Sequence, residues 1–363
     1  MHISELDTPA IVIDLDIMER NLRRAADYAA QHGLRLRPHT KTHKIPALAR
    51  RQLQLGAAGI TVAKVGEAEV MLAAEPRDLL VAYPVIGARK LARLMEVARR
   101  ASVTVALDSL EVARPLSEAA AAAGVRIGVL AETDVGLRRV GVAPGEELLA
   151  LVCGIQSLPA LELRGVAFYP GHIKALDAGG MAAIAELSST IESIRASLGR
   201  AGIQSPIISG GSTPTLWQSH LVAGMNEIRP GTYIFNDRNT WLCGGCQQAD
   251  CAAHVLVTVV STSVPGQMII DGGSKTFSSD RCVTGEAGFG YFPDCPEAVL
   301  AKMNEEHGFV ELKPARERFR PGDRVRVMPN HICVAMNLHE TVYGVRGETV
   351  EQTWRVEARG KLQ

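Results

Sequence analysis

The sequence predicts an α/β fold, a (β/α)8 barrel followed by a second, mainly β domain. Three observations predict it. Short β-rich runs alternate with Ala/Leu/Arg/Glu-rich helical stretches through the first two-thirds of the 363 residues. The runs number about eight, at 34–37, 59–65, 78–83, 102–108, 125–132, 161–169, 205–209 and 226–229. After about Asn236 the texture turns β-rich, broken by Gly, Pro and Asp.

Taken in order, the elements begin with a strand at 10–14. Asp16 is placed to cap a helix that runs to Gln31 and stops at Gly33, a left-handed terminator. Helical stretches separate most of the later strands, and the alanine-rich end at 119–123 is stopped by Gly124. Strands alternating with helices read as parallel β/α units, with a doubly wound open sheet as the alternative. Beyond the barrel, β-rich runs lie at 254–264, 267–271, 324–328 and 341–345, with one weak helix near 296–306. The expected boundaries are 15–236 for the barrel and 237–363 for the second domain, which the strand in 1–14 is free to join.

In either β/α architecture the chemistry belongs at the C-terminal ends of the strands. Polar clusters follow apolar runs directly at 39–44, 132–139, 169–174, 210–215 and 229–232.

Composition excludes several classes of function. The 39 basic and 39 acidic side chains cancel, giving no electrostatic reason to expect nucleic acid or an anionic membrane as partner. No apolar run reaches the length of a membrane span. Met1-His2-Ile3-Ser4-Glu5 lacks the basic start and apolar stretch of a signal peptide, and seven cysteines form no regular framework. The expected compartment is the reducing cytoplasm. Cys243, Cys246 and Cys251 lack a second pair at zinc-ribbon spacing and read as buried free thiols.

Arg37-Pro38-His39-Thr40-Lys41-Thr42-His43-Lys44 is the most informative stretch. A basic cluster straight after an apolar strand is either a solvated loop or a lysine poised for Schiff-base chemistry. In the second case neighbouring cations disfavour the ammonium form and free the amine. Gly210-Gly211-Ser212-Thr213 follows another strand, and Gly231-Thr232 follows a third. Glycines let backbone N–H groups approach an anion, and the hydroxyls add donors. His331 and Cys333 stand two apart, so that in an extended chain they point to one side. An imidazole with a thiolate suits zinc best among common metals.

These motifs occur together with Asp7-Thr8-Pro9-Ala10, the string Glu132–Gly141, Tyr169-Pro170-Gly171-His172, Arg229-Pro230-Gly231-Thr232-Tyr233 and Pro329-Asn330-His331-Ile332-Cys333. In that order and spacing the chain resembles the D-threonine aldolase and D-serine dehydratase family. These are fold-type III enzymes of pyridoxal 5'-phosphate (PLP), related to the barrel of alanine racemase. The resemblance implies that Lys41 bears the cofactor, with Lys44 as the alternative. It implies that Arg139 reaches the cofactor's phenolate side and that Tyr169 lies near it. Gly211, Ser212, Thr213, Gly231 and Thr232 would hold the phosphate. His331 and Cys333 would bind one divalent cation, with zinc favoured and manganese or magnesium possible. Two protein ligands leave positions open for water and substrate.

The implied reaction is retro-aldol cleavage of a 3-hydroxy-D-amino acid such as D-threonine to glycine and an aldehyde, with His172 or a metal-held water as base. Cysteine at the second metal position is familiar from the D-serine dehydratases, whereas aldolases carry aspartate there. Dehydration of D-serine or a related 3-hydroxy-D-amino acid therefore stays open. Racemisation and non-catalytic PLP binding rank lower. Racemisation needs an acid–base residue on each face of the ring, and the PLP-binding proteins are single barrels. The family also implies a homodimer with a small D-amino acid as its substrate.

Overall fold

The computed structural model describes residues 1–312 and 319–363. The chain divides into two compact units. One comprises Met1–Arg23, Thr42–Lys44 and Thr232–Arg359, the other Arg24–Lys41, Ile45–Gly231 and Gly360–Gln363. Among the described residues no helix is long and apolar enough to cross a membrane.

Strand β1 (Ala10–Asp14) runs directly into helix α1 (Leu15–Gln31). The capping side chain is Asp14, whose Oδ1 accepts from Ile17 N–H at 2.9 Å, and not Asp16. The strand leads straight into the helix, which therefore starts before Asp16 and leaves that residue in its first turn. Gly33 takes the left-handed conformation (φ +64°) just beyond the helix, where a residue with a Cβ would be strained.

The barrel unit holds eight parallel strands: β2 (Arg35–Leu36), β3 (Ile60–Val62), β4 (Asp78–Val81), β5 (Ser102–Leu107), β6 (Ile127–Glu132), β7 (Leu161–Ala167), β8 (Ile207–Gly210) and β9 (Glu227–Ile228). Their order is β2-β9-β8-β7-β6-β5-β4-β3. The two ends of that order meet. Ala58 N–H donates to Leu36 O and Thr61 N–H to Pro38 O, each at 2.8 Å, and His39 pairs with Thr61 in a parallel bridge. The sheet thus closes on itself, as the alternation of strand and helix predicts. Between strands run α2 (Pro46–Gln54), α3 (Val65–Met71), α4 (Ala88–Ala98), α5 (Leu110–Ala123), α6 (Glu146–Gln156) and α7 (Ala178–Arg200).

Strands covered on both faces must be apolar throughout, and β6 is buried at every residue. Leu80, Ala106, Leu130, Ala167 and Ile207, one from each of five successive strands, form one packed layer. Another layer is ionic. Arg37, 2% exposed, pairs with Asp78 at 2.9 Å and Glu227 at 3.0 Å. Arg164 donates to Thr104 Oγ1 at 2.8 Å. Gly59 and Gly128 make room for these guanidinium groups, since a Cβ would stand 2.5 Å from Arg37 and 2.4 Å from Arg164.

In the other unit β1 lies between β10 (Ala253–Ser261), antiparallel, and β16 (Thr341–Arg346), parallel. The sheet continues through β11 (Gln267–Ile270), β13 (Val299–Met303) and β14 (Gly308–Glu311) on one side and β17 (Thr349–Arg355) on the other. β15 (Arg324–Pro329) pairs with β10 and with β12 (Gly290–Tyr291). Among the described residues three short helices complete it: α8 (Arg238–Leu242), α9 (Ser274–Phe277) and α10 (Ile332–Leu338). The helix expected near 296–306 is instead the strand β13, paired antiparallel with β14. Cross-strand pairing has overridden a weak helical pattern there.

Candidate active site

In the barrel unit, the chain turns after β2 through a single 3-10 turn, Thr40–Thr42, which exposes Lys41. The preceding residue is clamped. Thr40 Oγ–H lies 2.7 Å from Glu67 Oε1 and 3.1 Å from Thr61 O, and Ala63 N–H donates to the other Glu67 oxygen at 3.0 Å. Thr40 and Glu67 are both fully buried. Glu67 had no signal in the sequence beyond a helical glutamate, because only the barrel's closure brings it to the lysine turn.

The turns after β6 and β7 lie together. Asp134 Oδ1 accepts from the N–H groups of Gly136 and Arg138 at 3.2 and 2.9 Å, folding the Asp-Val-Gly string into a tight loop. The Arg139 guanidinium stands 4.9 Å from the centre of the Tyr169 ring. Gly136 sits against the His172 ring, and a Cβ there would come within 3.2 Å of it. His172 Nδ1 is buried with no hydrogen-bond partner among the described residues. Glu132, at the end of β6, is buried, and burial raises its carboxyl pKa although Arg229 and Arg139 pull it down. Arg229 donates to Phe168 O at 2.9 Å and to Ser209 Oγ, tying the ends of β7 and β8. Burial lowers its pKa.

After β8 the backbone runs tightly. A Cβ on Gly210 would stand 2.2 Å from the Phe168 ring, and Gly211 has φ +81°. Ser212 and Thr213 are buried beside it, with Ser212 Oγ 3.0 Å from Thr215 Oγ1. Gly231, after β9, is buried as well. A glycine cradle, buried hydroxyls and an orphaned imidazole nitrogen fit a phosphorylated aromatic cofactor.

In the other unit, Thr42–Lys44 and the segment from Thr232 come together. Lys44 is buried with φ +56°, its Nζ donating to Ala358 O at 3.4 Å while its own carbonyl accepts from Ala358 N–H at 3.0 Å. Cys333 Sγ lies 3.2 Å from Thr42 Oγ1 and 3.6 Å from Thr232 Oγ1. His331 Nδ1 lies 2.9 Å from Asp237 Oδ2. The Cys333 thiolate beside it, with the Asp237 bond, raises His331 well above the ordinary histidine value against the pull of burial. The pair is not in an extended segment. His331 is the N-cap of α10 and Cys333 the second helical residue, because β15 ends at Pro329. Among the described residues no cluster of three or more His, Cys, Asp or Glu side chains could hold a metal ion. A metal here would have two protein ligands, one imidazole and one thiolate, and that donor set fits zinc. Cys243, Cys246 and Cys251 are buried free thiols, and burial pushes Cys243 up to about 11.

A parallel barrel with a lysine exposed at its first strand end, joined to a mainly β unit, defines the alanine racemase-like class of PLP-dependent fold. The chain belongs to that family: residues 13–239 match the alanine racemase N-terminal domain, and residues 252–345 a putative serine dehydratase domain. It is 34% identical to a D-threonine aldolase of an Arthrobacter species, across 99% of this chain and 94% of that protein. The crystal structure of D-threonine aldolase from Filomicrobium marinum superposes with a TM-score of 0.93 at 32% identity, covering 99% of this chain and 98% of that one. D-threo-3-hydroxyaspartate dehydratase from Delftia sp. HT23 superposes at 0.89 with 31% identity, covering 98% of both chains, and a cysteine-to-alanine mutant of that dehydratase has been solved in a metal-free form.

Proposed function

We propose that this chain is a PLP- and divalent-metal-dependent aldolase that cleaves 3-hydroxy-D-amino acids such as D-threonine to glycine and an aldehyde. The observation that carries the reading is the likeness to a D-threonine aldolase over 99% of the chain. PLP, when bound, supplies the electron sink for the pair left on Cα when the Cα–Cβ bond breaks. Lys41 would hold it covalently, with Gly211, Ser212, Thr213, Gly231 and Thr232 donating to its phosphate. Arg139, steadied over Tyr169, would supply a positive charge for its phenolate oxygen. His331 and Cys333 would hold the metal, whose contribution is to polarise the substrate's 3-hydroxyl. His172, with a ring nitrogen that has no hydrogen-bond partner among the described residues, would take the hydroxyl proton and could return one to the departing glycine.

Cys333 favours a second reading. With a leaving hydroxyl in place of a departing aldehyde, the same residues would dehydrate D-serine or 3-hydroxy-D-aspartate, and the metal-free mutant of the related dehydratase supports a resident metal in either case. Product analysis separates the two. Glycine with acetaldehyde from D-threonine supports the aldolase. Ammonia with a 2-oxo acid from D-serine or D-3-hydroxyaspartate, and no glycine from D-threonine, selects the dehydratase. The enzyme would act as a homodimer in a reducing compartment.

A further inference from the structure

We infer that Asp237 is a positioning residue that fixes His331 with its Nε2 as the metal-binding atom. The inference rests on the reading of His331 and Cys333 as ligands and names the group that makes one of them competent.

Both Asp237 carboxylate oxygens are fully committed. Oδ1 accepts from Thr240 N–H at 2.8 Å and Thr240 Oγ–H at 2.7 Å, capping α8. Oδ2 lies 2.9 Å from His331 Nδ1 and accepts from Ile332 N–H at 3.1 Å, at the start of α10. Asp237 is fully buried, and among the described residues its ion pair is with His331. A buried carboxylate without an arginine or lysine is costly unless a positive charge reaches it by another route.

A carboxylate oxygen only accepts, so the proton on this edge of the ring belongs to Nδ1. Nε2 is then the nitrogen that can give up its proton and offer its lone pair to a cation. The two N-cap positions make the arrangement stiff. Asp237 starts one short helix, His331 starts the other, and the single carboxylate fixes the ring plane relative to both. With the Cys333 thiolate, Asp237 brings two negative charges to the pair, the number a divalent ion neutralises. A histidine held in one tautomer by a carboxylate binds metal more tightly than a free one, typically by about 10- to 100-fold.

The test is zinc affinity, read by competition with a chromophoric chelator on the PLP-loaded enzyme. Wild type should bind one zinc per chain, and His331→Ala and Cys333→Ser should each abolish it. Asp237→Asn should weaken zinc by about 10- to 100-fold while the PLP absorbance band stays in place. Thr240→Val, which removes one bond to Oδ1 and none to Oδ2, should bind zinc as wild type does. Equal losses in Asp237→Asn and Thr240→Val would reduce Asp237 to a helix cap and overturn the inference. So would an unchanged affinity in Asp237→Asn. If Asp237→Asn fails to fold, 15N-histidine NMR of the zinc-loaded wild type, assigned against His331→Ala, decides. It should show a protonated Nδ1 and a zinc-bound Nε2, and the reverse would overturn the inference. Zinc binding that survives in His331→Ala or is absent from wild type would remove the metal reading and this inference together.

Discussion

Lys41 and Lys44 are three residues apart and chemically alike, and their surroundings separate them. Lys44 is buried and bonded to Ala358, whereas Lys41 stands exposed in the middle of a turn whose first residue, Thr40, is clamped by Glu67. Lys41→Ala should therefore lose the PLP adduct that borohydride fixes, and Lys44→Ala should keep it. Mass spectrometry of the reduced proteins reads the difference. Titration gives a second prediction. Burial, with Arg326 adding to it, lowers His254 to about 4 from its usual 6.5. The unfolded chain binds more protons across that window, so the contribution is present above about pH 6.5 and is lost as pH falls toward 4. The shift amounts to about 3 kcal/mol at most. Replacing His254 with phenylalanine should flatten the fall in Tm between those limits, and an unchanged acid slope would count against the assignment.

Strand β7 carries its own test. Gly165 has φ +146°, and a Cβ on it would stand 1.9 Å from Ile207 O, inside the pairing with β8. Gly165→Ala should cost about 3 kcal/mol or more, read as the shift in urea midpoint, because both the backbone angle and the neighbouring strand must give. The eight barrel strands were legible because each is a short apolar run set between helical stretches, and five of them are closed by a polar cluster, a pattern that survives without tertiary knowledge. What escaped reading depends on pairing and contacts that the local pattern of a segment does not show. The 299–303 segment became a strand only because β14 offers it an edge. Likewise the spacing of His331 and Cys333 is in the sequence, whereas the helix that begins between them and the Asp237 bond behind His331 are not. The aspartate before α8 was the available clue, since Asp followed by a helical run is an N-cap pattern. Its Oδ1 does cap that helix, but its Oδ2 serves a residue 94 positions away.

At the scale of the whole molecule, the strand Ala10–Asp14 is built into the sheet of the β unit rather than the barrel, so that unit draws on sequence from both before and after the barrel's main stretch. Light scattering should find a homodimer at working concentration, the commonest symmetric assembly, and a monomer alone would contradict the family expectation. On the proposed reading, one chain combines a lysine-held cofactor with a metal that acts only on the substrate's hydroxyl. The most direct test of that reading is the products formed from D-threonine by the purified, PLP-loaded enzyme before chelation, after chelation, and after zinc or manganese is restored. The enzyme should give glycine and acetaldehyde in equal amounts, lose turnover by orders of magnitude on chelation, recover it with metal, and show no comparable cleavage of L-threonine. Undiminished cleavage in the fully chelated enzyme, or faster turnover of L-threonine than of D-threonine, would contradict that reading.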